Sequence, residues 1–258
     1  MQDGTRAARA RPSRPVLVPL GLPMSPPLPC PAFLFDFNGV LIDDERVHLA
    51  AFQQTFAPDG IDIDEEIYWQ RYLGSDDFGA ATQILQDAGR VSTPDLVARF
   101  VDLKAAAYLE LARSSLEVFD GAARLVAEAA QLGKVGIVSG ALRHEVVFGL
   151  QKLGVDKLVG FIVAAEDTRA CKPDPEGYLL ALARLKIDVG TDQRVRAVVI
   201  EDSVAGVQAA KGAGLPCAAV GHSYGLRELS EAGADLVVDH IRRLDVQRLV
   251  ALAQRKAL

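Results

Sequence analysis

Four polar motifs, three directly closing a short apolar run and one in the loop that follows such a run, hold the side chains best suited to chemistry. They are Asp36-Phe37-Asn38-Gly39-Val40, Ser139-Gly140, Cys171-Lys172-Pro173-Asp174-Pro175 and Glu201-Asp202-Ser203. In an open parallel sheet, ligands bind outside the carboxyl ends of the strands, so these motifs would converge on one crevice. Carboxylates with a hydroxyl and an ammonium are what a hard cation and a phosphoryl group require: oxygen ligands for Mg²⁺, a nucleophile, and donors for the non-bridging oxygens. Singly, each has a plainer reading. Asp36 suits a turn, Ser139 an N-cap, and Lys172 a solvated loop. Asp174-Pro175 reads as the N-cap and first position of a helix, and Glu201-Asp202 as the cap of the helix carrying Val204 and Val207.

The elements that must position these motifs follow from the apolar pattern. Runs at 33–35, 135–138, 161–163, 197–200, 217–220 and 236–238 have strand length and alternate with amphipathic stretches, which predicts an α/β fold with a parallel sheet covered by helices. Between the first and second runs only helical periodicity is found, over a span too long for an ordinary crossover. It predicts an inserted helical unit with helices near 45–57, 64–73, 77–89 and 94–113. The last carries an apolar stripe of Leu96, Phe100, Leu103, Ala107 and Leu111, started by Thr93 as N-cap with Pro94 behind it.

The chain has 258 residues, half of them apolar, with 28 basic and 34 acidic side chains and a net charge of −6. Such a chain offers no field for gathering nucleic acid or anionic lipid, and no apolar stretch reaches the length of a membrane span. Cys30, Cys171 and Cys217 lack disulfide or zinc spacing, which fits a reducing compartment. Residues 1–31 are rich in proline and arginine and read as a disordered tail. A signal peptide is the rival there, but its apolar run is short and broken by Pro19, and Met24 is an alternative start.

Phe33 to Asp44, Ile137 to Gly140, Lys172 to Tyr178, and Val198 to Ala210 resemble, in order, the four motifs of the haloacid dehalogenase superfamily. The branch most similar holds β-phosphoglucomutase and phosphoglycolate-type phosphatases, and the likeness runs from about residue 32 to 240. It implies a Rossmann-like core over 32–47 and 116–258 with an α-helical cap over 48–115. The chain would cross between them near 44–48 and 115–120, with Ser114-Ser115 and Asp120-Gly121 as hinges. By the family pattern Asp36 is the nucleophile that becomes an aspartyl phosphate. Ser139, Gly140 and Gly39 would meet the phosphoryl oxygens, and Lys172 would balance charge without being needed for folding. Asp36, Asp202, Glu201 and the main-chain carbonyl of Asn38 would serve Mg²⁺.

One position departs from that pattern. Phosphatases and mutases of the family carry a second Asp two residues after the nucleophile, which protonates the leaving oxygen and then activates water. Here the residue is Asn38, and an amide exchanges no proton near neutral pH. His48, twelve residues beyond Asp36, is the candidate proton carrier. His144, His222 and His240 lack a motif and read as structural. Asp77 stands where a mutase would place an arginine for a second phosphate, although Asp76 and Asp77 also suit the N-cap of the next helix. The expectation is a cytoplasmic, Mg²⁺-dependent phosphohydrolase of a small phosphorylated metabolite, slowed by Asn38. The alternatives are a silenced relative that binds a phosphorylated ligand or a partner protein, and a sugar phosphate mutase. A dehalogenase is disfavoured because Glu201, Asp202 and Lys172 are retained. The sequence leaves the oligomeric state unspecified.

Overall fold

The six apolar runs become the strands of one parallel sheet, because each is continuously apolar and too short for a helix. The computed structural model describes Met1 and residues 31–73, 75–186 and 197–254. Apart from Met1 and Pro31, the expected tail lies outside the described residues, as does Cys30. The sheet order is β5 (Phe161–Val163), β4 (Lys134–Val138), β1 (Ala32–Phe35), β6 (Ala197–Glu201), β7 (Cys217–Val220) and β8 (Leu236–Val238). Strand β1 is central, in register with β4 through Phe35 and Ile137 and with β6 through Phe35 and Ile200. Strand alternation sends Phe33 and Phe35 to one face, against α5 (Ala122–Leu132), α6 (Arg143–Leu153) and α10 (Val246–Ala253). Leu34 goes to the other, with α7 (Glu176–Leu185), α8 (Val204–Gly212) and α9 (Leu226–Glu231).

The insertion after β1 is helical, as expected: α1 (Glu45–Phe56), α2 (Glu65–Arg71), α3 (Asp77–Asp87) and α4 (Pro94–Ser115). Their starts are set by side-chain caps. Asp64 accepts from the Ile67 N–H (3.1 Å), Asp76 from the Gly79 N–H (2.7 Å) and Thr93 from the Leu96 N–H (3.4 Å). A separate apolar cluster forms around Phe52, Phe56, Tyr68, Ile84 and Phe100, with Phe56 and Phe100 stacked at 4.2 Å. Unanticipated from the sequence, β2 (Ile42–Asp43) and β3 (Glu117–Val118) pair antiparallel where the chain enters and leaves this insertion. Two-residue strands are too short for any periodicity to register.

The expected stripe on α4 is rotated. Leu103 is exposed and Leu111 half-buried, while Val97, Phe100, Val101, Lys104, Tyr108 and Ala112 are buried. The packed face includes a lysine and a tyrosine whose polar atoms are satisfied by buried carboxylates, so counting apolar residues alone misplaced it. The helix expected to begin at Pro175 starts at Glu176, and Asp174 still accepts from the Glu176 N–H at 2.9 Å.

Candidate active site

Asp36 emerges at the carboxyl end of β1, and its N–H donates to the Ile200 carbonyl (2.9 Å), which fixes the start of the loop against β6. The loop folds back at once, with Leu41 N–H donating to Phe37 O (2.9 Å) and Gly39 N–H to Ile42 O (2.9 Å). Gly39 has φ +72°, and a Cβ there would stand 2.0 Å from Asp202 Oδ2, so glycine is required by both conformation and space. Because its amide is already donated, what Gly39 brings to the site is this close approach.

At the end of β6, Glu201 and Asp202 meet Asp36. Carboxylate oxygens of the three lie within 4.8 Å of one another, and all three residues are buried. Lys172 supplies the counter-charge, its Nζ lying 2.5 Å from Asp36 and 2.6 Å from Glu201, with the Val138 carbonyl at 3.2 Å. Although burial opposes it, the two carboxylates hold the Lys172 ammonium above the usual lysine range. Lys172 thus pairs with two buried acids within the fold itself, a contact beyond the charge balance expected of it at the phosphate.

One ammonium does not balance three carboxylates. Burial raises the Asp36 carboxyl to about 7 despite Lys172, with Glu201 adding to the rise. Burial together with Asp36 and Glu201 raises Asp202 also. Crowded, dry oxygen donors that hold protons this tightly are a fitting donor set for a hard divalent cation, which would take the protons' place. Glu201 is otherwise saturated: Oε1 accepts from Lys172 and Tyr178 Oη (2.7 Å), and Oε2 from Asp202 N–H (3.1 Å) and Ser203 Oγ (3.1 Å). It therefore organises the centre, leaving Asp36 and Asp202 with the freer oxygens.

Ser139 and Asn38 face each other across β4 and β1. Ser139 Oγ donates to Asn38 Oδ1 (3.2 Å) and accepts from Ala141 N–H (3.0 Å). The Asn38 amide donates to Asp44 Oδ2 (2.8 Å) and stands 3.2 Å from His48 Nε2. Asp44 Oδ2 also accepts from Tyr108 Oη (2.5 Å), while Oδ1 is buried with no hydrogen-bond partner among the described residues. Burial opposes ionisation of Asp44, but His48 and the two donors Tyr108 and Asn38 outweigh it and hold the carboxyl below its usual range. Behind His48, Lys104 Nζ lies 2.6 Å from Nδ1 and also pairs with Asp77 (2.8 Å) and Glu145 (3.5 Å). Nδ1 therefore faces the Lys104 ammonium, while Nε2 faces Asp44 (3.2 Å). Burial and Lys104 pull the imidazole pKa down, and Asp44 and Glu145 raise it by more.

Asp36, Asn38, Gly39, His48, Gly140, Lys172 and Asp202 all border one cavity of about 140 Å³ beneath the helical insertion. Ser139 adjoins it through Asn38. Asp76 caps α3 and Asp77 is taken by Lys104, so both acids have structural partners as well as pocket exposure. Sequence reasoning missed Lys104, hidden on an apolar helix face, and the segment after β7. There Ser223 Oγ donates to Asp202 Oδ2, and His222 Nδ1 donates to Gly39 O (2.7 Å) while its ring stacks on Phe119 at 3.8 Å. The rule that ligands gather at strand ends would have pointed to residues 221–224, had it been applied to β7 too. His240 packs edge-on against His222 at 4.7 Å, and His144 borders a surface groove beside α4 and α6.

A family profile described as "Hydrolase: haloacid dehalogenase-like hydrolase" matches residues 30–214. The chain is 32% identical to Protein CbbY of Cereibacter sphaeroides over 231 residues, covering 83% of this chain and 93% of that one. It is 29% identical to Validoxylamine A 7'-phosphate phosphatase of Streptomyces hygroscopicus subsp. limoneus, over 77% of this chain and 89% of that protein. Among solved structures, CbbY from Rhodobacter sphaeroides in complex with phosphate superposes with a TM-score of 0.73 at 28% identity, covering 86% of this chain and all of that one.

Proposed function

The chain belongs to the haloacid dehalogenase-like hydrolase family and is a phosphatase of that type, and we propose that it hydrolyses a small phosphorylated carbohydrate with the help of Mg²⁺. The observation that carries this reading is the convergence of Asp36, Lys172 and Asp202 at the ends of three different segments, with the carboxyls of Asp36 and Asp202 both raised. Asp36, Asp202 and the main-chain carbonyl of Asn38 would hold the cation, which when bound supplies charge neutralisation at the phosphoryl oxygens.

Asp36 is the nucleophile. Its carboxylate oxygen forms a bond to phosphorus as the ester oxygen departs, and Lys172 offsets the charge on the transferred group. The departing oxygen needs a proton and the aspartyl phosphate then needs an activated water, and Asn38 supplies neither. His48 is the proton carrier. Its Nε2 stands 3.2 Å behind the Asn38 amide, so the proton passes through one intervening water, with Asp44 stabilising the charged ring. Turnover of esters with poor leaving groups is correspondingly slow. Ser139 exchanges its bond to Asn38 for one to a phosphoryl oxygen, beside Gly140.

The engagement of Asn38 by Asp44 favours one second reading, a silenced protein that binds phosphorylated ligands without turnover. Phosphate release from a panel of sugar phosphates and p-nitrophenyl phosphate, with and without Mg²⁺, separates the two. Metal-dependent release that disappears in Asp36→Ala supports the phosphatase. Binding of beryllofluoride with Mg²⁺ but no release from any ester supports the silent form.

A further inference from the structure

The cavity has a chemically distinct upper wall. Phe52, Tyr68, Tyr72 and Tyr224 present aromatic surface, and Glu45 and Asp76 present carboxylates. Glu45, half-buried, accepts from Tyr68 Oη at 2.6 Å, and neither Glu45 nor Asp76 has an ion-pair partner among the described residues. Burial pushes the Glu45 carboxyl up, outweighing His48, the Tyr68 hydroxyl and Lys104, which pull it down.

Cations are scarce by contrast. Lys172 is the one lysine or arginine among the described residues that border the cavity, and it lies on the floor between Asp36 and Glu201. Lys104 stands just outside, already matched by Asp77 and Glu145. A phosphate at the floor has Lys172 and the metal site to meet it. Away from the floor, a second phosphate would meet the carboxylates of Glu45 and Asp76 and ring faces, with His48, already engaged by Asp44, as the one other lining residue among those described that can carry positive charge. A positive group there would gain a carboxylate and the negative faces of several rings.

We propose that the ester taken by this site is a monophosphate whose non-phosphorylated part carries a positively charged amine, held by Glu45 among Phe52, Tyr68, Tyr72 and Tyr224, and that bisphosphates are rejected. The inference rests on the phosphatase reading above and narrows its substrate class to phosphorylated amino sugars or amino cyclitols.

The test uses matched pairs differing only in amine against hydroxyl: glucosamine 6-phosphate with glucose 6-phosphate, and glucosamine 1-phosphate with glucose 1-phosphate, alongside fructose 1,6-bisphosphate. Titration calorimetry on the full-length Asp36→Asn protein with Mg²⁺ reads selectivity without turnover. The amino member of at least one pair should bind at least tenfold tighter than its hydroxyl partner, and the bisphosphate weakest. Glu45→Gln in the same background should bring the amino-to-hydroxyl ratio close to one. Equal binding within both pairs, no binding by any of the five esters, tighter binding of the bisphosphate, or a ratio unmoved by Glu45→Gln overturns the proposal. Hydrolysis of p-nitrophenyl phosphate by the unaltered protein is scored separately. Selectivity without hydrolysis removes the phosphatase reading alone, whereas hydrolysis without selectivity removes this inference alone.

Discussion

The Asn38 amide donates to the Asp44 carboxylate across 2.8 Å, so position 38 is tuned for a neutral donor. Replacing it with a carboxylate would put two acids at that distance in a buried place, and one of them would have to keep a proton. Asn38→Asp should therefore yield a protonated acid near neutral pH and raise turnover of alkyl phosphates by at least about tenfold, with a smaller gain on p-nitrophenyl phosphate. Adding Asp44→Asn relieves the repulsion and should move the pH optimum downward. The pH-rate profiles of the two variants check this, and superimposable profiles would sink it.

His48 is expected to carry the proton-dependent part of the reaction. His48→Ala should lower kcat on alkyl phosphates by about 10² to 10⁴, the usual worth of a positioned acid or base. p-Nitrophenolate leaves unaided, so its release should suffer less. Steady-state kinetics on both ester types read the difference, and an equal loss on both would assign His48 to packing.

Lys172→Ala strands Asp36 and Glu201 without their ammonium. Breaking a buried pair on one side costs about 3–5 kcal/mol. The variant should lose phosphate and vanadate binding and also unfold at lower denaturant. Part of that stability should return at pH 5 relative to pH 8, since protonation removes the stranded charge. Denaturation unchanged from the parent protein at both pH values would contradict the buried pairing.

Metal and pH should act on stability together. The Asp36 carboxyl, at about 7 in the fold, holds its proton more tightly than in the unfolded chain, where it titrates near about 3.9. Its contribution is fully present below the unfolded value and is lost as pH rises through the folded one. Asp202, raised as well, acts in the same direction. A cation replaces the missing protons, so Mg²⁺ should raise Tm more at pH 8 than at pH 5. A thermal shift that is equal at the two pH values, or larger at pH 5, would place the metal elsewhere.

The parallel sheet and the four longer cap helices were legible because buried strands and amphipathic helices write themselves in hydrophobic spacing, Asp36 and Asp202 because they directly follow strands, and Lys172 because it stands in a polar Lys-Pro-Asp-Pro loop beyond β5. Lys104 was not, since a buried lysine on a helix face reads as a break in the apolar stripe until its partners Asp77 and Glu145, 27 and 41 residues away in sequence, are brought beside it. The same holds for Asp44 with Tyr108, 64 residues apart. Polar partnerships across such separations leave no local pattern. His222 was set aside for lack of a motif, although its bond to Gly39 ties the segment after β7 to the loop after β1.

The antiparallel pairing of Ile42 with Val118 and of Asp43 with Glu117 brings the two ends of the helical insertion side by side. Everything between them is therefore a cassette with adjoining ends, the geometry that best tolerates grafting and excision. A short turn joining Asp43 directly to Glu117 would close the sheet-bearing part into a continuous chain, and a foreign helical insert could be spliced at the same two points. Such a transplant would carry Glu45, Asp44 and His48 away together and leave Asp36, Lys172, Asp202 and Tyr224 behind, so a new insert would have to bring its own proton carrier along with its own substrate contacts.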